Sequence, residues 1–461
     1  MKVPLAVNFG IARPGIETGG LLVNLYAQDA AKGAKGPVVL IGAPGTRPFA
    51  QLRYLNDVLA ATDDTNVNAM LFAFDRIVVV TDHAVYFVEE NGTVSRRANT
   101  GIVGPVSMAF NRLDVAAVGP GGARWINEAG VSDITDTDFY PADAVCFLDS
   151  YFVFNRRETG QVFQTGSYTR DISGLDFADA EKAPDDAVGV IAAGEYLFIF
   201  GEATTEVWYN ASGAQFAFAR APGTVMEHGC AAVATATQFN GDVTWLTPGG
   251  LVVRATGLAP IRISDEAVEA ALAERKADWS SARAFTYSDE GHTFYVLTVG
   301  DLTLAFDDAT SLWHQRRNYS RGHVLARCYV RAWGRHFVGD DKGRILELAS
   351  DAYDDAGEPL VAEAVSVPIT ADGALLPIGG VEVELDAGIA PLDVEASVLL
   401  GHSRNGGRTW APDRTASAGR TGEWLHRTRW RKFSAAREHR FRVRISAPFR
   451  RRILSDLEVM A

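Results

Sequence analysis

Residues 75–94 read DRIVVVTDHAVYFVEENGTV, and this stretch decides the fold class. Two short runs rich in Val, Tyr and Phe are separated by a polar turn, and a second turn, Asn91-Gly92, follows them. β-branched and aromatic residues favour strands, and apolar runs of about four to eight residues between turn residues are typical of strands rather than helices. The stretch therefore predicts a pair of antiparallel strands.

The same unit recurs along most of the chain. Further units begin near Asn111, Asp149, Gly194, Asn240, Glu290 and Trp333. The starts are roughly 36 to 50 residues apart, which is the interval of a four-stranded propeller blade. The sequence thus predicts an all-β protein built on a β-propeller. We favour six blades, because one unit can be shared or incomplete, with seven possible and an irregular sandwich of hairpins as the alternative.

The chain divides into three predicted parts. Residues 1–50 form an N-terminal extension that joins the first blade, residues 51–355 form the propeller, and residues 356–461 form a C-terminal β-domain with basic strands. The boundary falls in the polar stretch DAYDDAGEP at residues 351–359. One helix is expected outside a blade, capped by Ser264 and running through the Ala-rich residues 267–277.

Two alternating segments predict that the C-terminal part is an antiparallel β-sandwich-like domain. They are VEVELD at residues 381–386 and HRFRVRIS at residues 439–446. Strict alternation places one set of side chains inside and the other outside. In the second segment Arg440, Arg442 and Arg444 are expected on the outer face. We interpret these three arginines as a candidate interaction surface for an acidic neighbour.

The stretch SRNGGRTW at residues 403–410 predicts a hairpin turn in this domain. Asn405 and Gly406 are expected to take positive φ, and Trp410 to re-enter a strand with its indole over the turn. The stretch is similar to the Asp box of sialidases and other propellers, with Asn405 in place of the Asp. It occurs once and outside the repeats, so we interpret it as a structural turn.

Charge is distributed unevenly along the 461 residues. The net charge is −13, but residues 401–461 carry 15 Lys and Arg against 5 Asp and Glu, which leaves −23 on the first 400 residues. An acidic body with a basic tail indicates two surfaces for different partners, with a solvated basic face as the alternative. The three distant cysteines and the absence of a signal-peptide pattern favour folding in a cytoplasm, and no apolar run predicts a membrane segment.

Motifs of catalysis are missing from the sequence. It has no G-x-x-x-x-G-K-[ST], no G-x-S-x-G, no H-E-x-x-H and no C-x-x-C, and its nine histidines do not have metal-ligand spacing. A sialidase would need an arginine cluster, a Tyr–Glu pair and an Asp acid, for which only Arg262-Ile263 offers a faint counterpart. We therefore predict that the chain is not an enzyme and has no cofactor and no metal.

Several segments in one order give the chain a family resemblance. It resembles the tail hub or nozzle proteins of short-tailed bacteriophages, the packaged-DNA stabilisation proteins. The similar segments are VNLY at 23–26, GAPGT at 42–46, DFYPA at 138–142, LDSYFVF at 148–154, DFA at 176–178, AE at 180–181, PD at 184–185, EVW at 206–208, HGC at 228–230, WL at 245–246, RIS at 262–264 and AVE at 267–269. Their order over about 250 residues is specific, while the two ends match more loosely.

The resemblance implies a structural protein of the virion tail, assembled in the host cytoplasm. Such proteins form a ring, usually of six copies, below the portal or its adaptor. They extend the channel for double-stranded DNA, which passes without sequence recognition, help to retain it, and carry tail spikes, fibres or needles. The alternatives are a receptor-binding or glycan-degrading (sialidase-like) tail protein and a cellular propeller scaffold.

Overall fold

The computed structural model describes residues 1–5, 7–10, 19–30, 38–55, 61–180, 185–386, 396–423, 426–447, 449–454 and 456–460. Glu181 and Pro184, which contribute to the family resemblance, lie outside them. The first strands are β1 (Lys2–Val3), β2 (Leu21–Val23), β3 (Leu25–Asp29), β4 (Val38–Gly42), β5 (Gly45–Gln51), β6 (Arg53–Leu55) and β7 (Ala61–Asp63). A single α-helix, α1 (Glu266–Ala273), is found in these ranges.

The middle of the chain is a succession of short strands. They are β8 (Val67–Ala73), β9 (Arg76–Thr81), β10 (Val85–Val88), β11 (Val94–Ala98), β12 (Ser107–Phe110), β13 (Val115–Gly119), β14 (Gly122–Ile126), β15 (Val131–Asp133), β16 (Val145–Leu148), β17 (Tyr151–Asn155), β18 (Gln161–Thr165), β19 (Ile172–Asp179), β20 (Ala187–Ala193), β21 (Tyr196–Gly201), β22 (Thr205–Asn210), β23 (Phe218–Arg220), β24 (Thr237–Phe239), β25 (Asp242–Leu246), β26 (Val252–Thr256), β27 (Ala259–Arg262), β28 (Arg283–Asp289), β29 (His292–Val299), β30 (Leu302–Asp307), β31 (Leu312–Arg316), β32 (Cys328–Ala332), β33 (Arg335–Gly339) and β34 (Arg344–Ala349).

The remaining strands belong to the C-terminal part. They are β35 (Asp354–Asp355), β36 (Glu358–Pro359), β37 (Ala362–Val365), β38 (Ile369–Thr370), β39 (Gly380–Glu384), β40 (Ser397–Ser403), β41 (Arg414–Ser417), β42 (Arg427–Arg431), β43 (Glu438–Ile445), β44 (Arg452–Ile453) and β45 (Leu457–Met460).

Within the described ranges, seven four-stranded antiparallel sets form the propeller. Blades 1 to 6 are β8–β11, β12–β15, β16–β19, β20–β23, β24–β27 and β28–β31, and blade 7 is β32–β34 with β5. The innermost strands follow one another in a closed circle: β24, β28, β32, β8, β12, β16 and β20 contact in this order. The circle is completed by a 3₁₀ turn at Val233–Thr235, which contacts both β20 and β28. The propeller is confirmed, and the favoured count of six is corrected to seven.

The sequence repeat marks one turn in each blade. Every unit start falls at the tight turn between the first and second strand, as at Asn240-Gly241, where φ is 50° and 87°. Left-handed conformation at both turn residues matches the twist of the flanking strands. Seven starts therefore correspond to seven blades. The seventh supplies only three strands from its own segment, so a repeat count cannot tell it from an incomplete blade.

The ring is closed by a strand from the N-terminal segment. β5 pairs with β34 in antiparallel register, with Arg47 opposite Glu347 and Gly45 opposite Ala349. Residues 1–50 were expected to join the first blade, but their last strand is the outer strand of the seventh. A repeat shows where units recur and not which distant segment completes one of them.

Apolar cores fill the spaces between neighbouring blades. Between blades 7 and 1 the core contains Val79 and Phe337, and between blades 2 and 3 it contains Trp125 and Phe152. Helix α1 packs into the core between blades 5 and 6 through Val268, Ala271 and Leu272. Its cap is Asp265, whose side chain accepts a hydrogen bond from the Val268 N–H at 2.8 Å, rather than the predicted Ser264. Ser264 instead donates to Glu269.

Two facing sheets make the C-terminal domain a sandwich. One has the order β1-β45-β39-β42, and the other includes β37-β43-β40-β41. Their shared core contains Val381, Val383, Trp430, Phe441 and Val443. The second sheet is continuous with blade 6, because β2 pairs with β31 on one side and β37 on the other. β41 is the last strand of this sheet, at the end farthest from the propeller.

Candidate interaction surfaces

The turn at residues 403–410 is organised by side-chain hydrogen bonds. Ser403 Oγ accepts from the Gly407 N–H at 2.9 Å, and Asn405 Oδ1 accepts from the Thr409 N–H at 3.0 Å. Positive φ occurs at Gly406 (71°), as predicted, and at Gly407 (89°). The prediction of positive φ at Asn405 was wrong. The connection between β40 and β41 spans residues 404–413, so Trp410 does not re-enter a strand.

The loop after this turn covers two of the three arginines of β43, Arg442 and Arg444. The Asp413 carboxylate lies 3.3 Å from Arg442 Nη2 and also pairs with Arg444. The Trp410 ring lies 4.5 Å from the Arg442 guanidinium carbon. Arg440 is only 1% exposed, so its expected place on an outer solvent face is corrected. Alternation identifies the face of a strand, but the sequence did not indicate that a loop folds back over that face.

The first alternating segment is more buried than predicted. Every residue of β39 is buried, including Glu382 and Glu384. Glu382 accepts hydrogen bonds from Arg429 Nε at 2.7 Å and Arg427 Nη1 at 3.0 Å. Burial would raise the pKa of Glu382, but the two arginines outweigh it and hold that pKa below its ordinary value. Part of the basic charge of this domain is therefore neutralised inside it.

Four exposed cations remain together at the far end of the sandwich, and we call them the basic patch: Arg404, Arg414, Arg431 and Lys432. Arg414 Nη2 donates to the Arg431 carbonyl at 2.7 Å, and Arg404 Nη1 donates to Ser434 at 3.3 Å. The Arg414 guanidinium lies over the Phe433 ring at 5.0 Å. Sequence reasoning missed this patch, because the strand pattern of residues 439–446 drew attention to the covered arginines.

Two buried histidines lie below the basic patch. His402 and His439 are 2.9 Å apart through Nε2 and Nδ1, and His439 Nε2 donates to the Leu376 carbonyl. Burial, followed by the charges of His439, Arg404 and Arg414, lowers the pKa of His402 to about 4. The His402 imidazole is thus neutral near pH 7, and the pair is a structural contact within the sandwich core.

The joint between propeller and sandwich is built around Arg451. This side chain is 3% exposed and donates to the carbonyls of Leu360 at 2.6 Å, Tyr353 at 3.4 Å and Ala43 at 3.5 Å. Burial lowers its pKa to about 10, so it stays charged at neutral pH. Asn24 adds hydrogen bonds to the carbonyls of Arg317 and Val361. The two domains are therefore fixed to each other by buried polar contacts.

A cavity of about 540 Å³ lies near the propeller axis. It is lined mainly by apolar side chains from the inner strands, including Leu71, Met108 and Phe147. Asp143 is the one acid among the lining residues, and it is paired with Arg157. A pair of carboxylates of the kind that cleaves glycosides is absent from this lining.

Other chemical groups in the described ranges offer little reactivity. Burial raises the pKa of the Cys146, Cys230 and Cys328 thiols. A group of three or more His, Cys, Asp or Glu side chains suited to a metal ion does not occur among the residues of these ranges. None of their helices is long and apolar enough to cross a membrane.

Two family models match the chain over the two domains described above. Residues 49–353 match the β-propeller of bacteriophage P22 Gp10, and residues 363–460 match its β-sandwich. The chain belongs to this bacteriophage family, the packaged-DNA stabilisation proteins. The resemblance found in the sequence is thereby confirmed.

Other comparisons add little. A search of curated proteins gave no match. Among solved structures, the chain is similar to the designed protein Ika8 (15% identity, 72% of this chain and 100% of that one, TM-score 0.38). It is also similar to BamB from Moraxella catarrhalis (10% identity, 75% of this chain and 98% of that one, TM-score 0.40). A third similar structure is YCF48 from Cyanidioschyzon merolae (12% identity, 62% of this chain and 96% of that one, TM-score 0.41). Scores this low carry no argument about function.

Proposed function

We propose that this protein is a structural subunit of the phage tail that assembles as a ring, expected to be of six copies, below the portal or its adaptor. The observation that carries the proposal is the family match across both domains. In this role the ring extends the DNA channel, helps to retain packaged DNA, and provides attachment for tail spikes, fibres or needles. Assembly takes place in the host cytoplasm, and the role is structural rather than enzymatic.

The charge distribution supports the DNA part of the proposal. The first 400 residues carry a net charge of −23, and DNA binding depends on Lys and Arg that neutralise phosphates. A channel lined by an acidic surface repels phosphates, so double-stranded DNA passes without sequence-specific contacts and without adhering.

The interaction role expected for Arg440, Arg442 and Arg444 stays a prediction, and the structure changes how it is tested. Reversing the charge of Arg440 would place a carboxylate in the core, so a loss of assembly would not separate docking from folding. The basic patch offers exposed arginines for the same experiment.

Electron microscopy of the purified chain mixed with the portal ring of the same phage, and its adaptor where one exists, tests the proposal. We expect a ring of copies attached to the portal. Free single propellers beside bare portals would overturn it. A parallel glycan-cleavage assay should give no product, since cleavage would indicate a receptor-degrading tail protein instead.

A further inference from the structure

Strand β19 is the outer edge of blade 3, and its second half is open. In its first half, by contrast, the N–H groups of Ile172 and Gly174 donate to Asp136 and Asp138. The strand has eight residues, and no described strand pairs with its outer side.

The outer strands of blades 6 and 7 are covered by β2 and β35. The outer strands of blades 2, 4 and 5 have only three or four residues. The outer strand of blade 1, β11, exposes Arg96 and Arg97. A short length and lysines are two usual protections of an edge against pairing with another chain, and β19 has neither; its only charges are the two carboxylates of Asp176 and Asp179.

The exposed side chains of β19 are apolar and acidic. Leu175 is 68% exposed and Phe177 is 38% exposed, while the charge comes from the exposed Asp179 and the half-buried Asp176. Other apolar side chains of the propeller are also exposed, such as Leu113. Leu175 and Phe177, however, lie two residues apart on one unpaired strand edge and so form a contiguous apolar surface. An acidic strand with two apolar side chains fits a partner that is basic and partly apolar.

The backbone of β19 also has groups available for a partner. The Ala180 N–H donates to the Gly160 carbonyl, and Ala178 lies opposite Val162 on β18. In an antiparallel pair alternate residues bond to the neighbouring strand, so the N–H and C=O groups of Phe177 and Asp179 point outward.

Blade 3 lies opposite the sandwich. In a circle of seven it is three blades from both blade 6 and blade 7, where the sandwich attaches. The basic patch lies on β41, on β42 and beside them, at the end of the sandwich farthest from the propeller. The acidic edge and the basic patch therefore lie at opposite ends of one molecule.

We propose that β19 of one copy docks on the basic patch of a second copy of this chain. Two complementary surfaces at opposite ends make a head-to-tail contact, which generates a closed ring when its rotation closes. Asp176 and Asp179 face Arg414 and Arg431 across this contact, while Leu175 and Phe177 bury their apolar surface against it. The inference rests on the proposed ring and names the surfaces that hold its copies together.

A charge-swap experiment on the full chain tests this contact. An edge variant carries Asp176→Lys and Asp179→Lys, and a patch variant carries Arg414→Glu and Arg431→Glu. A third variant carries all four changes. Rings on the portal are counted by electron microscopy, and unchanged melting temperatures establish that each variant is folded. A control with Glu90→Lys and Glu195→Lys reverses two exposed acids on the turns of other blades.

We expect the edge and patch variants each to lose rings when alone, because like charges then meet across the contact. An equal mixture of the two should regain rings, since reversed edges meet reversed patches and native edges meet native patches. The fourfold variant should assemble alone, as should the control. Rings from either double variant alone, or no recovery in the mixture, would overturn the proposed contact. Absence of rings from the unaltered chain would instead overturn the proposed function.

Discussion

Several arginines in this protein serve as internal supports rather than surface charges. Arg440 is buried in the sandwich, Arg442 and Arg444 share Asp413, and Arg451 joins the two domains. A guanidinium carries five donors in a fixed plane, which suits it to carbonyls that would otherwise be buried without partners. The identity of such a residue is visible in the sequence, but its burial depends on segments hundreds of residues away.

Replacing Arg451 by Met should destabilise the protein by about 2–4 kcal/mol, because buried carbonyls lose their donors. The carbonyls of Leu360, Tyr353 and Ala43 are the ones affected. Denaturant unfolding measures the change, with Arg437→Met on an exposed residue as the control. Equal stability of the two variants would show that the joint does not depend on Arg451.

The His402–His439 pair should make the sandwich sensitive to acid. The pKa of His402 is lowered to about 4 by burial, whereas the unfolded chain titrates near its ordinary value of about 6.5. The unfolded state then binds more protons between these values, so stability falls as the pH drops from about 6.5 to about 4. The pKa of His314 is also lowered, so the propeller contributes in the same direction.

The contribution of His402 is therefore measured as the difference in pH-dependent stability between the unaltered protein and a variant without this imidazole. His402→Gln should lose less stability than the unaltered protein between pH 7 and pH 5, as measured by urea midpoints. His228→Gln controls for the loss of an imidazole elsewhere. Identical pH dependence in the unaltered chain and His402→Gln would contradict this account.

At the scale of strands and blades, the local sequence predicts which neighbouring strands form hairpins, but it does not predict which distant strands pair. The hairpins follow from apolar runs and turn residues such as Asn240-Gly241. The pairing of β5 with β34 joins residues about 300 positions apart, and no local pattern specifies it. The sequence likewise placed basic strands in the C-terminal domain, but the exposed patch appears only once the loop carrying Trp410 and Asp413 is seen over β43.

Gly45→Ala should loosen the closing strand. A Cβ at Gly45 would lie 2.2 Å from the Asp354 carbonyl and 2.6 Å from the Ala352 carbonyl, so the backbone must shift. We expect a loss of about 1–3 kcal/mol, the usual effect of overpacking, together with faster proteolysis near β5. Gly130→Ala is the matched control, because nothing lies within 4 Å of its added Cβ. Similar effects of both substitutions would argue against close packing at the ring closure.

The whole molecule is electrically polarised, acidic over the propeller and basic at the far end of the sandwich. In the proposed ring, such a distribution would guide copies into one relative orientation and keep the acidic surfaces away from phosphate. The family match covers both the acidic propeller and the basic sandwich, so each copy in the proposed ring carries both charges.

The purified chain should bind double-stranded DNA weakly. At about 150 mM salt we expect a Kd no tighter than about 100 µM, the weak end of non-specific binding. Any binding at low salt should weaken in the Arg414→Glu, Arg431→Glu variant, which reverses two of the four cations of the basic patch. Fluorescence anisotropy with a labelled duplex measures both, and a Kd tighter than about 1 µM at 150 mM would refute the non-adhesive channel.

Strand β5 pairs with β34, and β1 pairs with β45, so each of these early strands waits for a partner that is synthesised much later. At about 5–20 residues per second, β5 waits roughly 15–60 s on the ribosome for its partner, and β1 waits longer still. During that interval the nascent chain holds strands without neighbours, and unpaired strand edges favour aggregation. Infection temperature and chaperone supply should therefore influence how much of this subunit reaches a virion.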